Sequence, residues 1–456
     1  MSRKTAPLSD LVLIARILTC SDPSPQQSPG RSLWKACRRI LGTICLLPKD
    51  FPLTTLIPFF RILLWGAIVK RAAIIGGGIG GLTTAIALRK IGFEVDVYER
   101  APELKEVGSG MSLWPNAVRS LNQIDPSILL RLQTRGRSLR RLLMKDADGE
   151  RIKTLPLPAT DCNGIAIHRA ELQSSLAQSV PPHSIHLDHT FLRLEQRPNS
   201  VTLHFENGAS AEADLVVACD GIHSAVRKSL GLKSKLTNSA YSVWRGMTFI
   251  NSEDDARYLG LEHDGDFSES YGHGRRFGIL RLGPGRIHWY AVANNSLRSP
   301  DMSEAVALRA LFSGWHAPVP ELIENAESAI CTKVQDRLAT LPWVVGRVAI
   351  LGDAAHPISP NFGQGACLAI EDAVVLASSL QTHSNLRRAL RHYEHSRYPR
   401  CLEVLFMSRE AGRFAQFQNR AIVHLRKHFI KLAPLAFTTY WFRRSCDFHP
   451  PSLPAC

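Results

Sequence analysis

The chain has 456 residues, of which 45% are hydrophobic and 21% are charged, and its formal net charge is +15. This length and composition are typical of a globular protein of two or three domains and exclude a fibrous or fully disordered chain. The excess of lysine and arginine is concentrated near the two ends of the chain. Because basic, solvated termini account for this charge better than a nucleic-acid surface does, we expect no nucleic-acid partner.

The ten cysteines are scattered and form no Cys-x-x-Cys or other paired spacing. This pattern is typical of a reducing compartment and argues against a disulfide framework or a structural zinc site. We therefore predict a cytoplasmic protein without a metal centre. Peripheral contact with a membrane stays open, because basic and apolar residues are interspersed near both ends of the chain.

Residues 1–69 differ in texture from the rest of the chain. Asp22–Gly30 is rich in proline and serine, which predicts disorder. Phe51–Val69 is apolar, but two prolines and an arginine interrupt it, so it is a weak candidate for a membrane span. Three alternatives follow: a disordered extension, a weak membrane anchor, or sequence upstream of a natural start near Val69. Mass spectrometry of the native N-terminus would distinguish them.

The first motif of chemical interest is a glycine-rich turn between an apolar strand and a helix. Ala72–Ile75 leads into Gly76-x-Gly78-x-x-Gly81, and Glu99 follows at the end of the next apolar run. The first glycine permits the turn, the second lets the backbone approach a pyrophosphate, and the third lets the helix pack on the strand. The pattern predicts a dinucleotide site, with Glu99 at a ribose, but does not say which dinucleotide.

From Arg71 onward, short apolar runs alternate with amphipathic stretches, which predicts a doubly wound parallel sheet. The predicted strands of this part are Arg71–Ile75, Glu94–Tyr98, Ser200–Phe205, Asp214–Ala218 and Val348–Leu351. The predicted helices are Gly80–Ile91, Asn116–Gln123, Arg169–Gln178 and Gly365–Leu380. We expect Asn207-Gly208 to form the turn between the third and fourth strands.

A different residue pattern interrupts this alternation from about residue 237. Antiparallel strands are predicted at Val243–Ile250, Arg275–Leu282 and Arg286–Val292, with a hairpin turn at Gly283–Gly285. Two helices, Ser303–Phe312 and Pro320–Asn325, follow. The predicted division is an extension at 1–69, a discontinuous nucleotide domain at 70–137, 163–233 and 330–382, a sheet domain at 138–162 and 234–329, and C-terminal helices at 383–456.

Two later segments narrow the identity of the dinucleotide. One buried strand ends in Asp220-Gly221 and another ends in Gly352-Asp353, so both carboxylates belong at the carboxyl edge of the sheet, where ligands bind. The glycine-rich loop Pro360–Cys367 then opens a helix. The N–H groups and the dipole of that helix N-terminus favour an anionic or electron-rich group.

These three segments, in this order and with an inserted sheet, resemble the class A flavoprotein monooxygenases, the single-component aromatic hydroxylases. The resemblance covers about residues 70–400. Ser112–Ala117, Tyr241–Gly246 and Gly314–Val319 are most similar to the branch of FAD-dependent urate hydroxylase and zeaxanthin epoxidase. The resemblance implies an α/β fold: a glutathione-reductase-like, FAD-binding Rossmann domain with an inserted, mostly antiparallel substrate sheet and C-terminal helices.

The resemblance also implies roles in cofactor binding. Gly76, Gly78 and Gly81 would hold the FAD pyrophosphate, and Glu99 with Arg100 the adenosine ribose. The further implied contacts are Ser112 near the flavin, Arg169 at a phosphate or ribose, Phe191 beside adenine, Asp220 and Gly221 at FAD and the passing NAD(P)H, Asp353 at the ribityl chain, and Gly363, Gln364, Gly365, Ala366 and Cys367 along the isoalloxazine edge.

The activity implied is monooxygenation: NADPH or NADH reduces FAD, O2 adds as a C4a-hydroperoxyflavin, and one oxygen enters a small aromatic or heteroaromatic substrate. Arg276 is a candidate clamp for an acidic substrate, and His288 is a candidate proton relay. Arg245, Tyr290, Pro360 and Phe362 are further pocket candidates. For each, the alternative is a residue satisfied by its neighbours in the sheet. We expect His356 to order the loop.

Two other functions stay open at this point. The first is a flavin reductase or saturase of the same fold, and the second is a catalytically silent, FAD-binding protein associated with a membrane. The oligomeric state, the substrate, the choice between NADH and NADPH, and the choice between hydroxylation and epoxidation are left undecided by the sequence.

Overall fold

The computed structural model describes residues 70–454, except 105–108, 158–161, 250–258, 260, 262, 264, 284 and 300. The described residues belong to one compact unit, Val69–Cys456. The expectations for residues 1–69 lie outside the described residues. Cysteines within the described part are free thiols, and no helix in that part is long and apolar enough to cross a bilayer.

The β-strands of the described part pair into several separate sheets. In chain order they are β1 (Lys70–Ile75), β2 (Phe93–Tyr98), β3 (Gly110–Leu113), β4 (Arg137–Leu139), β5 (Arg141–Asp146), β6 (Arg151–Pro156), β7 (Gly164–His168), β8 (Ile185–His186), β9 (Phe191–Gln196), β10 (Val201–Phe205), β11 (Ser210–Ala213), β12 (Leu215–Ala218), β13 (Leu236–Phe249), β14 (Asp266–Tyr271), β15 (Arg275–Gly283), β16 (Arg286–Asn294), β17 (Ser328–Arg337), β18 (Val344–Val345) and β19 (Val348–Ile350).

The α-helices follow the same order. They are α1 (Ile79–Lys90), α2 (Pro115–Ile124), α3 (Pro126–Arg135), α4 (Arg169–Ala177), α5 (Ala225–Ser229), α6 (Glu304–Phe312), α7 (Val319–Glu324), α8 (Gly365–Thr382), α9 (Leu386–Ala415), α10 (Arg420–Leu432) and α11 (Leu435–Cys446). Polar side chains cap several of them. Ser303, for example, accepts a hydrogen bond from the backbone N–H of Val306 at the start of α6.

The nucleotide-binding part is built on a six-stranded sheet in the order β18-β19-β12-β1-β2-β8. β1 lies between β12 and β2 and pairs with both in parallel, and four of its residues, Ala72–Ile75, are buried. Helices α1 and α8 pack against each other beside this sheet. The expected α/β class and the parallel strands are therefore confirmed, and the carboxyl ends of β1, β12 and β19 meet at one edge.

One predicted turn joins a different pair of strands from the pair that we expected. Asn207-Gly208 joins β10 to β11, an antiparallel pair in a separate three-stranded sheet. It does not lead into β12. Residues 210–213 concealed β11 in the sequence, because they include no large apolar side chain and only Ala213 of this strand is buried.

The inserted sheet has seven strands, in the order β17-β13-β16-β15-β14-β5-β6. Residues 330–337, which we expected in the nucleotide domain, belong to β17 and pair with β13 in this sheet. β14 was not predicted at all. It pairs in parallel with β5 and antiparallel with β15, so it lies in the interior of the sheet.

The two faces of the seven-stranded sheet differ in chemistry because successive side chains alternate. One face is apolar and packs on α6 and α7, with Trp244, Phe277 and Trp289 among its buried residues. The opposite face carries Arg276 and His288, both buried. This second face, which we call the polar sheet face, is turned toward the loop that precedes α8.

A buried ionic cluster holds α8 against α9. Asp372 accepts hydrogen bonds from Arg397 (Nε to Oδ1, 2.6 Å) and from the backbone N–H of Gly352 (3.1 Å), and lies 2.6 Å from His356 Nε2. Arg397 also pairs with Glu371 at 2.7 Å. Burial opposes charge on Asp372, but His356 and Arg397 lower the pKa of its carboxyl to about 2. The charges thus fix the loop at 352–356, the role expected for His356.

Replacing Asp372 by alanine should strongly destabilise the fold, because buried His356 would lose its carboxylate partner and Arg397 would keep only Glu371. We expect a loss of about 3–5 kcal/mol in the free energy of unfolding, measured by urea denaturation. Arg413→Ala is the control, since it removes an exposed ion pair with Glu410 and should leave stability nearly unchanged. Equal effects of the two substitutions would contradict this account.

Candidate functional site

The glycine turn after β1 is built from backbone contacts that leave no room for side chains. Gly76 has φ +106°, and a Cβ added there would lie 2.5 Å from the carbonyl oxygen of Cys219. A Cβ on Gly81 would lie 1.9 Å from the carbonyl oxygen of Gly76. Gly78 differs, because a Cβ there would meet no atom of the described residues within 4 Å. Two glycines are thus required by the fold, whereas the third borders open space.

Side chains from two other elements hold this turn. Glu99, at the end of β2, accepts hydrogen bonds from the backbone N–H of Gly77 (2.6 Å) and of Ala101 (3.0 Å). Gln173, on α4, donates from Nε2 to the carbonyl oxygen of Gly77 at 2.9 Å. Arg100 is exposed beside them. Gln173 was not singled out in the sequence, because only its place on a helix in space relates it to the turn.

Three other expected cofactor residues lie on different elements. Ser112 is half-buried on β3, and Arg169 is exposed at the first position of α4. Phe191 begins β9 and is buried in the hydrophobic core. Ser112 and Arg169 are thus accessible to a ligand, whereas the side chain of Phe191 is a packing residue and only its backbone remains for a contact.

The two strand-end carboxylates lie in a polar cleft at the edge of the parallel sheet. Burial raises the pKa of Asp220, whose Oδ2 accepts a hydrogen bond from the backbone N–H of Val226 at 3.1 Å. Solvent reaches Asp353, yet the surrounding protein raises the pKa of its carboxyl, against the opposing effects of His356, Arg169 and Arg337. Asp353 is thus accessible to solvent and still desolvated by the protein around it, and we call the space beside Asp220 and Asp353 the cleft.

Buried polar atoms without protein partners point to what this cleft holds. Asp220 Oδ1 and both Nε and Nη1 of Arg337 are buried and have no hydrogen-bond partner among the described residues. Gly221, with φ +82°, also borders open space. Because a buried polar group without a partner is costly, this cleft is suited to a polar ligand with hydroxyl and anionic groups.

The loop before α8 is fixed by a tryptophan and by buried polar side chains. Gly363 has φ +63°, and a Cβ there would lie 3.0 Å from Trp114 Nε1. Trp114 donates from this nitrogen to the carbonyl oxygen of Phe362 at 2.8 Å. Gln364 is fully buried and accepts a hydrogen bond from Asn116 at 2.9 Å. Cys367 is buried too, so both side chains support the loop from behind.

Within the part of the chain that the structure describes, no side chain caps the N-terminus of α8, an 18-residue helix that begins at Gly365 with Gln364 at its N-cap. Its first N–H groups and the positive end of its dipole are therefore available to a ligand. Gly363, Gly365 and Ala366 can contribute only backbone and small surfaces at this point. The expected flavin-edge segment is thus a backbone surface.

Arg276 is not a free cation. On the polar sheet face its Nη1 lies 3.3 Å from Glu269 Oε1, and Tyr271 and Tyr290 donate to the same carboxylate at 2.5 and 2.9 Å. Burial lowers the pKa of the Arg276 guanidinium, but Glu269 together with Tyr290, Tyr271 and Tyr241 outweighs burial, and the net effect raises this pKa. Burial and Glu269 also raise the pKa of Tyr271 and Tyr290 well above the ordinary value. We call Arg276, Glu269, Tyr271 and Tyr290 the Glu269 cluster.

His288 is a buried neutral imidazole. Its Nδ1 lies 3.1 Å from the carbonyl oxygen of Gly246, and burial lowers its pKa to about 3. The ring also lies against Gly110, where an added Cβ would come within 2.4 Å of His288 Cβ. A proton relay near neutral pH needs a pKa close to that range. This geometry therefore favours a packing role for His288.

Asn361 connects the loop to the sheet. Its Nδ2 donates to Tyr241 Oη at 2.8 Å and to the carbonyl oxygen of Ser408 at 2.7 Å, and its Oδ1 accepts a hydrogen bond from Arg276. Arg245, by contrast, is half-buried and donates to Thr332 at 2.8 Å. Glu269 and Asn361 are the main residues that sequence reasoning missed. The alternation Phe267, Glu269, Tyr271 was the available signal for the first.

Comparison with known proteins identifies the ligand class. The FAD binding domain family matches residues 70–407. The aurachin C monooxygenase/isomerase of Stigmatella aurantiaca is 34% identical over 384 residues, which cover 83% of this chain and 98% of that protein. The 3-amino-4-hydroxybenzoate 2-monooxygenase of Streptomyces cremeus is 34% identical over 359 residues, which cover 76% of this chain and 87% of that protein.

A solved structure agrees with these relatives. The crystal structure of Klebsiella pneumoniae HpxO complexed with FAD and uric acid superimposes with a TM-score of 0.74 at 29% sequence identity. The match covers 83% of this chain and 96% of HpxO. The expected FAD-binding fold is therefore confirmed over nearly the whole length of that neighbour.

Gly78→Ala should reduce FAD affinity without harming the fold, because its methyl group would enter the space left for the pyrophosphate. We expect a loss of about tenfold or more, measured by fluorescence titration of the FAD-free protein. Gly314→Ala is the control, since a Cβ there also meets no atom within 4 Å. If both variants bind FAD as the unmodified chain does, the turn is not the cofactor anchor.

His288 should make stability depend on pH in a defined direction. Its folded-state pKa of about 3 lies below the ordinary 6.5, so between these values the unfolded chain binds a proton that the folded chain excludes. The contribution of His288 to the free energy of unfolding is fully present above pH 6.5 and decreases as the pH falls below that value. From about pH 8 to about pH 5, the unmodified chain should lose about 2 kcal/mol more than His288→Gln. Equal losses in urea denaturation would refute a neutral, buried His288.

Proposed function

The chain belongs to the family of FAD-dependent class A monooxygenases, and on this basis we propose that it inserts one atom of O2 into a small aromatic or heteroaromatic substrate, with NADPH or NADH as reductant. The observation that carries this proposal is the hydrogen-bonded junction at Asn361. This junction joins the loop before α8 to the polar sheet face. We propose that the N-terminus of α8, which is of the kind that binds FAD, and this enclosed face form one site. The proposal therefore puts the cofactor and the substrate next to each other.

The residues of the cleft fit FAD by their own chemistry. The open space at Gly78 and the uncapped N-terminus of α1 suit a pyrophosphate. The unpartnered atoms of Asp220 and Arg337 suit hydroxyl and phosphate groups. FAD bound here supplies the activation of O2 once NAD(P)H has reduced it. The contacts that we propose are those of Gly76, Gly78, Gly81, Glu99, Arg100, Ser112, Arg169, Phe191 through its backbone, Asp220, Gly221, Arg337, Asp353 and residues 363–367.

The chain's own part in the reaction is to position, to neutralise and to exclude water. The N-terminus of α8, with its unpaired N–H groups and partial positive charge, would stabilise a flavin ring there as it gains electrons. The polar sheet face lies on the other side of the proposed site from the N-terminus of α8 and closes it with buried side chains. This excludes solvent from the site and strengthens each polar contact there. Tyr271 and Tyr290 stay protonated because their pKa values are raised, so they act as hydrogen-bond donors.

The Glu269 cluster revises the substrate class. We expected Arg276 to clamp an acidic substrate, but Glu269 already balances its charge. With His288 neutral, the Glu269 cluster itself carries no net charge, and a carboxylate placed against Arg276 would lose hydration while Glu269 already balances the guanidinium. The arrangement supports a neutral, electron-rich aromatic or heteroaromatic substrate rather than an aromatic acid.

The proposed activity is tested by measuring NAD(P)H oxidation by the FAD-loaded chain. We expect neutral hydroxyquinolines or hydroxypyridines to stimulate oxidation and to yield a product heavier by one oxygen atom. The matching aromatic carboxylic acids should stimulate it less. Reduction of the substrate without oxygenation would favour a reductase or saturase, and no consumption of NAD(P)H with any ligand would favour a silent FAD-binding protein.

Glu269→Gln should invert the substrate preference, because Arg276 then keeps its charge without a counter-charge. We expect the KM for a neutral substrate to rise and that for its carboxylated analogue to fall, each by about tenfold. The double variant Glu269→Gln/Arg276→Gln is the control, since it removes both charges and should restore the preference for the neutral compound. An unchanged ratio of KM values in FAD-replete Glu269→Gln would contradict the role of the cluster.

We also propose contact between the C-terminal helices and a membrane surface, which the basic and apolar residues of this part of the sequence left open beside packing on the FAD domain. Its structural basis is independent of the FAD site.

A further inference from the structure

Helices α10 and α11 present an unusual concentration of exposed apolar side chains. Leu425 is 68% exposed and Leu432 is 78% exposed. Phe429 on α10 and Phe437 on α11 are both exposed, and their ring centroids lie 5.8 Å apart, so the apolar surface continues from one helix to the next. Together with Trp441, 49% exposed, these side chains form what we call the C-terminal apolar face.

The opposite sides of the two helices are fixed to the body of the protein. Arg426 is buried and donates to the carbonyl oxygens of Ala415 (2.6 Å) and Gly272 (2.9 Å). Arg119 donates to the carbonyl oxygen of Cys446 at 2.6 Å. Phe442 packs edge-on against Trp114, with centroids 4.6 Å apart. The C-terminal apolar face is therefore the outward side of firmly docked helices.

The charged residues of α10 and α11 have one sign. Residues 420–446 contain six lysines and arginines and no aspartate or glutamate. Arg426 is used internally, and Lys427 and Arg444 pair with carboxylates. Arg420, Lys431 and Arg443 are exposed. Large apolar side chains rimmed by cations match the amphipathic pattern that lies at the boundary of an anionic bilayer.

We propose that the C-terminal apolar face docks on the surface of an anionic lipid bilayer, with α10 and α11 lying in its interface. No helix of the described residues is long and apolar enough to cross a bilayer, which agrees with a contact parallel to the surface. A second copy of the chain is a poorer occupant, because pairing this face with itself would bring the cationic rims together.

The proposal is tested by co-sedimenting the full chain with vesicles of phosphatidylcholine, with or without phosphatidylserine. We expect binding to the vesicles that contain phosphatidylserine, and weaker binding as salt is raised. Leu425→Glu/Leu432→Glu should reduce this binding by roughly tenfold or more, because it removes apolar area and adds repulsion. Lys431→Gln/Arg443→Gln should remove the preference for phosphatidylserine.

The matched control is Leu130→Glu/Leu192→Glu, which alters leucines 64% and 56% exposed elsewhere on the surface and should bind vesicles as the unmodified chain does. FAD content verifies folding of every variant. Undiminished vesicle binding by Leu425→Glu/Leu432→Glu would overturn the proposal. The proposal would also be overturned if the unmodified chain bound no vesicles and formed a dimer that this variant dissociates. That is the result expected if a second copy covers the face. Because binding is measured without turnover, failure here leaves the proposed activity untouched.

Discussion

The nucleotide site depends on one steric constraint, the approach of backbone to backbone at the turn after β1. The carbonyl oxygen of Gly76 lies where a side chain of Gly81 would begin, and the carbonyl of Cys219 occupies the same position for Gly76. These contacts hold the N-terminus of α1 over the end of β1 and next to β12. They also bring Asp220 and Asp353, which are distant in sequence, to one edge of the parallel sheet.

Electrostatics fix the second half of the site. Two buried carboxylates on α8 are held by two arginines of α9, and Asp372 also binds the loop that carries Asp353. From this base, Asn361 extends to the polar sheet face. The protein thus uses charge pairs to fix α8 and the loop at 352–356, and the amide side chain of Asn361 helps to join the loop before α8 to the polar sheet face.

The sequence predicted what is local. The strand, turn and helix around Gly76–Gly81 follow from residues that are neighbours in the chain, and their prediction is confirmed to within a residue or two. The fold class and the FAD family followed from three such segments. The chemistry of the polar sheet face did not, because the partner of Arg276 lies on β14, a strand whose existence depends on pairing with β5 about 125 residues earlier.

The loop before α8 shows the same limit of prediction from sequence. Their glycines, glutamine and cysteine suggested side chains lining a ligand, but Gln364 and Cys367 are buried behind the loop. Only tertiary packing decides which way such side chains turn. What faces the ligand is backbone, and a glycine-rich sequence indicates that surface without revealing the buried network that holds it.

The central claim, that the FAD site and the polar sheet face together perform monooxygenation, is tested most directly by turnover under isotopically labelled dioxygen. Purified FAD-loaded chain, NAD(P)H and a neutral aromatic substrate should give a product that carries one labelled oxygen atom, and labelled water should contribute none. A product that takes its oxygen from water, or a reduced product that contains no new oxygen, would contradict the account.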